Sequence, residues 1–131
     1  MPISNGGTGP IRVLIIEDDE PSRLLYRDYL EQASYVVMES ANGIDALRLI
    51  REQAPDLVIT DIFMPRQDGL EVILTIKSDF DSIPVLAISG GSGAFAGDNY
   101  LKIAREFGAE QILKKPFTRS EFLSACEQAL Q

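Results

Sequence analysis

The sequence has no histidine and no tryptophan, and it has one cysteine among 131 residues. Without histidine, the chain offers neither a zinc site of the ordinary type nor a histidine general base. The lone cysteine, Cys126, excludes an internal disulfide and favours a reducing, cytoplasmic setting. Its helical spacing with neighbouring apolar residues predicts a place in the core.

Long apolar runs and positive charge are also scarce. No apolar run approaches the ~20 residues that a membrane span needs. The 12 basic and 20 acidic residues give a net charge of −8, which disfavours nucleic acids and anionic membranes as direct partners. The first ten residues have no apolar core, so they do not form a signal peptide. We predict a flexible segment over 1–10 and one domain over 11–131.

After residue 10, apolar runs and amphipathic stretches alternate five times. Strict alternation predicts a parallel sheet with helices on both faces. We predict an α/β fold, a flavodoxin-like (βα)5 three-layer sandwich with strand order 2-1-3-4-5. The predicted strands are 11–16, 35–38, 57–60, 83–88 and 111–113. The predicted helices span 21–33, the stretch from the N-cap Asn42 to Pro55, 70–76, 98 to the C-cap Gly108, and the stretch from the capping box Thr118–Glu121 to the end.

The first predicted helix carries an apolar face. Leu25, Tyr29 and Ala33 share this face at helical spacing, and Leu24 and Leu30 lie beside it. The spacing is typical of a surface helix that packs on a sheet through one stripe.

Polar residues follow four of the predicted strands. Strand 1 ends in Glu17-Asp18, strand 3 in Asp61, strand 4 in Ser89 and strand 5 in Lys114-Lys115. In this strand order, the site lies beyond the carboxyl ends of the strands, at the switch point between strands 1 and 3. We therefore expect three carboxylates, one hydroxyl and one ammonium to converge on one rim of the sheet.

Three clustered carboxylates require either a proton or a cation between them. Oxygen ligands alone favour a hard ion, Mg²⁺ before Mn²⁺, and Mg²⁺ often takes part of its shell from a phosphate. Asp61 can then act as a nucleophile that forms an acyl phosphate. Lys115 can neutralise one phosphoryl oxygen, and the Ser89 hydroxyl can donate to another.

These residues and their order resemble the response-regulator receiver domain of two-component signalling, the CheY-like family. The resemblance covers about 11–130, and the order and spacing of its motifs are highly specific. The segments that carry it are LIIEDDEPSR, ESANGIDAL, LVITDIFMPRQDGLE, IPVLAIS and LKKPF.

The resemblance implies a role for each residue on this rim. Asp61 matches the phosphoacceptor and Ser89 the switch hydroxyl. Lys115, rather than Lys114, matches the family lysine, and its bond to Pro116 is expected to be cis, against a base rate of roughly 5–6%.

The resemblance also implies a metal site. The acidic pair of the family falls on Glu17 and Asp18, not on Asp19. Asp18 is expected to bind the metal directly, and Glu17 mainly through water. Asp61 and the backbone carbonyl of Phe63 complete the implied protein ligands for Mg²⁺.

Two positions depart from the family pattern. Ile112 occupies the switch position at which the family usually has Tyr or Phe. The loop after Ser89 is long and rich in glycine, and it precedes helix 4. We therefore hypothesise that phosphorylation is read out through this loop and helix 4 rather than through an aromatic residue at 112.

The implied partners are a histidine kinase or histidine phosphotransfer protein, since a chain without histidine cannot be that donor, and a downstream protein that binds the helix 4–strand 5–helix 5 face. The chain would catalyse only its own phosphorylation and dephosphorylation. One alternative is an interaction module with a receiver fold that works without phosphorylation. Another is an Asp-phosphate hydrolase, but Phe63 stands where such an enzyme needs a second acid. A bulky apolar residue there predicts a long-lived phospho-form.

Overall fold

A computed structural model describes residues 9–64, 67–90 and 98–131. Its central sheet has five parallel strands, β1 (Arg12–Ile16), β2 (Val36–Ser40), β3 (Leu57–Asp61), β4 (Val85–Ser89) and β5 (Gln111–Lys114). Their order in the sheet is β2-β1-β3-β4-β5, which confirms the predicted topology. The helices are α1 (Glu20–Gln32), α2 (Gly43–Gln53), α3 (Gly69–Asp79), α4 (Asp98–Glu106) and α5 (Arg119–Ala129).

Alternate residues of the strands point to opposite faces of the sheet and build two core clusters. Val13 and Ile15 of β1 belong to the cluster that α1 and α5 cover. Leu14 and Ile16 belong to the cluster that α2, α3 and α4 cover. All five residues of β3 are buried, because β3 is the central strand and is covered on both faces. The three-layer sandwich is therefore confirmed.

The predicted helix caps are present. Asn42 Oδ1 accepts from the backbone N–H of Asp45 at 2.8 Å, and Thr118 and Glu121 form the reciprocal capping box that begins α5. Gly108 follows α4 with a φ of +113°, a conformation that favours glycine. At the start of α1, Asp19 is the N-cap, because its carboxylate accepts from the N–H of Ser22 at 3.1 Å.

The buried face of α1 differs in part from the predicted one, because Tyr29 and Ala33 pack against the core as predicted but Leu25 does not. Leu24 and Leu25 are 52% and 46% exposed, whereas Tyr26 and Leu30 are buried. Tyr26, Leu30 and Ala33 form a second stripe at helical spacing, one residue round the helix from Leu25. This second stripe packs against the sheet and α5, so Tyr26 occupies the place in the core that was predicted for Leu25.

A short antiparallel ribbon lies between β3 and α3, and the sequence did not predict it. Its two-residue strands are Phe63–Met64 and Gln67–Asp68. Most of the predicted N-terminal segment, 1–8, and most of the Gly-rich loop, 91–97, lie outside the described residues. Within the described part of the chain, no helix is long and apolar enough to cross a membrane.

Candidate functional site

Asp61 is the last residue of β3 and lies at the carboxyl end of the sheet. The residue is only 6% exposed, so neighbouring groups enclose its side chain almost completely. Oδ1 accepts from the backbone N–H of Phe63 at 2.9 Å, and Oδ2 accepts from Nζ of Lys115 at 3.0 Å. Both carboxylate oxygens therefore have donors, and the carboxylate is held in one orientation.

Lys115 follows β5 and enters the site from the opposite side. Its backbone N–H donates to the carbonyl of Ser89 at 2.8 Å, and its Nζ lies 3.5 Å from Oε1 of Glu17. Burial, the largest single cause, would lower the pKa of Lys115, but the charge and hydrogen bond of Asp61, together with Tyr26 and Glu17, outweigh it and raise the pKa. The ammonium thus stays charged. The Lys115–Pro116 bond is cis, as the family resemblance implies.

Glu17 follows β1 and is a buried carboxylate, 1% exposed. Its backbone N–H donates to the carbonyl of Ser40 at 3.0 Å, which ties the end of β1 to the end of β2. Among the described residues, neither carboxylate oxygen of Glu17 has a hydrogen-bond partner. Burial, and next the charge of Asp61, raise the pKa of Glu17 to about 8. The Lys115 ammonium at 3.5 Å offsets part of the charge of Glu17, and a proton or a further cation would stabilise the group more fully.

Ser89 ends β4, next to Asp61. Asp61 pairs in register with Ile88, so Ser89 lies one residue further along the neighbouring strand. Its side chain is completely buried, and its Oγ has no hydrogen-bond partner within the described residues. A buried hydroxyl without a partner is costly unless the site gains a ligand.

The structure does not cluster every residue predicted for the metal site. The Asp18 side chain is exposed, and Phe63 is half-buried and lies in the ribbon beside Asp61. Within the described ranges, no group of three or more His, Cys, Asp or Glu side chains is placed to hold a metal ion. Glu17 and Asp61 nevertheless fit a hard cation, since both offer carboxyl oxygens as ligands and the Glu17 oxygens accept no hydrogen bond from the described residues. The direct roles of Asp18 and of the Phe63 carbonyl stay predictions.

Ile112 lies on β5, opposite Ala87 of β4. It is partly buried and packs against the core cluster beneath α2, α3 and α4. The switch position is thus filled by an aliphatic core contact.

Two glycines give the site its close contacts. A Cβ at Gly90 would lie 2.5 Å from Cδ of Lys115, so this glycine leaves room for the lysine stem. A Cβ at Gly69 would collide with the backbone of Ile62 and lie 2.6 Å from the carbonyl oxygen of Asp61. Gly69 therefore lets α3 begin directly against the chain that carries Asp61.

Sequence reasoning also missed Arg23 and Tyr26 on α1. Arg23 donates to the carbonyl of Glu17 at 2.8 Å. The Tyr26 ring stacks on Phe122 at a centroid distance of 5.3 Å. Burial raises the pKa of Tyr26, and Lys115, Glu17 and Asp61 also influence it, so the phenol lies within electrostatic range of the site. The spacing of Tyr26 with Leu30 signals its burial, whereas nothing in the sequence signals the Arg23 contact.

The rim therefore presents a fixed carboxylate, a charged ammonium in contact with it, and a buried hydroxyl and a buried carboxyl group that accept no hydrogen bond from the described residues. This combination suits the transfer of a phosphoryl group to Asp61, since charge then develops on oxygens that Lys115 and Ser89 can reach.

Comparison with known proteins gives the family of the chain. A sequence profile of the response regulator receiver domain matches residues 13–127. The chain belongs to this family. The polar-differentiation response regulator DivK of Brucella anthropi is 36% identical to this receiver domain over 123 residues, which are 92% of this chain and 97% of DivK.

Solved structures agree with the fold of this receiver domain. The receiver domain of NtrX from Brucella abortus superposes with a TM-score of 0.84 at 28% identity, covering 90% of this chain and 97% of that one. The chemotaxis protein CheY4 of Vibrio cholerae gives a TM-score of 0.82 at 24% identity, covering 93% of this chain and all of that one. The second likeness concerns the fold alone.

Proposed function

We propose that Asp61 accepts a phosphoryl group from the phosphohistidine of a histidine kinase or histidine phosphotransfer protein. A carboxylate oxygen of Asp61 attacks phosphorus, the P–N bond to imidazole breaks, and an acyl phosphate forms. The imidazole leaves with the bonding electron pair and takes a proton from solvent. This chain would catalyse its own phosphorylation and dephosphorylation and no other reaction.

The observation that carries the proposal is the contact between Lys115 and Asp61. A Lys Nζ lies 3.0 Å from the carboxylate, and the carboxylate is itself buried. An ammonium in this place can stabilise the negative charge first on the carboxylate and then on the phosphoryl oxygens. The partnerless hydroxyl of Ser89 supplies a second donor for the product and would report phosphorylation by moving toward it.

The step is proposed to depend on Mg²⁺, with Mn²⁺ as a substitute. Glu17, Asp18, Asp61 and the Phe63 carbonyl would hold the ion. When bound, the ion neutralises charge on the phosphoryl oxygens. The buried oxygens of Glu17, which accept no hydrogen bond from the described residues, support this assignment.

The output is proposed to be phosphorylation-dependent protein contact in the cytoplasm. A groove of about 360 Å³ between β5 and α5 supports the α4–β5–α5 face as the binding surface. Ile112 lines this groove, so a shift of β5 would change the shape of the groove.

We further propose that the phospho-form is long-lived, because Phe63 hinders attacking water. We also propose that phosphorylation is read out through the Gly-rich loop and α4. Beryllofluoride should then shift the NMR signals of α4, and unchanged signals would contradict this readout.

A phosphorylation assay tests the proposed function. The protein is incubated with Mg²⁺ and either acetyl phosphate or a phosphorylated histidine phosphotransfer protein, and phosphoprotein is separated on a phosphate-retarding gel. We expect a retarded band with the native chain and with the exposed control Asp79→Asn, and none with Asp61→Asn or with EDTA. If neither donor gives an Asp61-dependent band, the phosphorylation-independent interaction module becomes the better account.

A further inference from the structure

Arg23 links the turn after β1, which carries Glu17, to the edge strand β2. It lies on α1, and its NH1 group donates to the carbonyl oxygen of Glu17 at 2.8 Å. Its Nε donates to Oε1 of Glu39 on β2 at 3.0 Å. The Arg23 side chain is 18% exposed. One planar guanidinium thus joins α1, β2 and the turn after β1.

The neighbouring arginine provides an internal comparison. Arg27 lies one helical turn further along α1 and also pairs with Glu39, and it pairs with Glu31 at 3.4 Å. Among the described contacts, Arg23 reaches the Glu17 backbone and Arg27 does not. The two arginines therefore share a charge, a helix and the partner Glu39, and only Arg23 contacts the acidic turn after β1, whereas Arg27 has Glu31 as its second partner.

The contact bears on the orientation of both acids after β1. The Glu17 carbonyl belongs to the same rigid peptide plane as the N–H of Asp18. A hydrogen bond to this carbonyl restricts how the plane rotates, and the rotation sets the directions of the Glu17 and Asp18 side chains. Glu39 holds the guanidinium in place and offsets its charge.

We propose that Arg23 is a positioning residue for the divalent cation, acting through the Glu17 carbonyl on the acidic pair Glu17 and Asp18. This inference rests on the proposed cation-dependent function. It assigns Arg23 no contact with the ion and no part in the reaction itself.

Because Arg23 is positively charged, the direction of the change in cation affinity tests the inference. A cationic side chain near a cation site repels the ion, so its removal alone should tighten binding. Removal of a group that orients the metal ligands should weaken cation binding, typically by about 10-fold to 100-fold for residues that hydrogen-bond to the ligands. The two effects have opposite directions.

The experiment is a Mn²⁺ titration followed by the EPR signal of the free ion, with thermal unfolding of each variant measured in parallel. We expect Arg23→Gln to weaken Mn²⁺ binding by about 10-fold. The matched control Arg27→Gln loses the same charge and the same partner, and should stay within about twofold of the native affinity. Arg23→Lys keeps the charge but not the planar fork, and should also bind more weakly than the native chain.

Equal or tighter Mn²⁺ binding by Arg23→Gln would overturn the inference, and so would equal weakening by Arg27→Gln. If Arg23→Gln does not fold, Arg23→Lys decides: weakened binding supports the inference, and native affinity overturns it. A native chain that binds no Mn²⁺ would instead overturn the cation-dependent function, which separates that failure from failure of the role of Arg23.

Discussion

At the scale of single residues, folding clearly changes the pKa of Glu17. Its folded pKa of about 8 exceeds the ordinary value of 4.5, because the carboxyl is buried and lies near Asp61. The folded state therefore holds a proton that the unfolded state releases. The stability from this group is complete below pH 4.5 and is lost as the pH rises through about 8.

We predict that, in EDTA, the free energy of unfolding falls as the pH rises from about 5 to about 8, as urea titrations would measure. Glu17→Gln should remove most of this dependence, because the amide does not ionise. The exposed control Glu31→Gln should keep it. Addition of Mg²⁺ at the upper pH should restore stability to the native chain. A native profile that is flat or rises over this range would contradict the assignment.

The sequence predicted much of the site because parallel strands end at one edge of a sheet. Glu17, Asp61, Ser89 and Lys115 each lie at or directly after the last residue of a strand, so the topology alone brings them together. Arg23 was not predictable in this way, because its contact depends on where α1 lies over β2. The exposure of Asp18 likewise depends on the turn after β1, which periodicity does not describe.

At the scale of elements, strands were easier to predict than helix faces. Buried strands such as β3 are continuous apolar runs, whereas α1 carries two overlapping stripes, one through Leu25 and one through Tyr26. Only packing on the sheet selects between them. The ribbon at Phe63–Met64 was missed because two-residue strands are too short to show alternation.

Two glycine substitutions test how closely α3 and β4 approach the site. Gly69→Ala should destabilise the protein by about 1–3 kcal/mol, because its Cβ meets the backbone of Ile62 and Asp61. Gly90→Ala meets the flexible stem of Lys115, so its stability should stay within about 0.5 kcal/mol of native while phosphorylation by acetyl phosphate slows. Urea unfolding and the gel assay measure the two effects. Equal destabilisation by both substitutions would contradict this geometry.

At the scale of the whole molecule, both core clusters share one sheet, so local opening at Cys126 should require the loss of much of the fold. Cys126 lies on the buried face of α5 and is completely buried in the cluster with Tyr26 and Phe122. Burial raises the pKa of its thiol to about 12. The thiolate that reacts with disulfide reagents is therefore scarce in the native state.

We predict that an aromatic disulfide reagent labels Cys126 slowly in the native chain near pH 8 and quickly in urea. The labelling rate should follow the urea dependence of global unfolding, because the thiol is protected by the core that both α1 and α5 complete. A free cysteine added to the reaction is the control for reagent activity. Rapid labelling without urea would show that α5 opens independently of the rest.

The central claim is that Asp61 forms the acyl phosphate, and chemical trapping tests it most directly. The protein is phosphorylated with Mg²⁺ and a phosphodonor, reduced with borohydride, digested and sequenced by mass spectrometry. Borohydride converts an aspartyl phosphate to homoserine, so the account predicts homoserine at position 61 and unmodified aspartate at Asp18, Asp19 and Asp56. Homoserine at another position, or none after either donor, would contradict it.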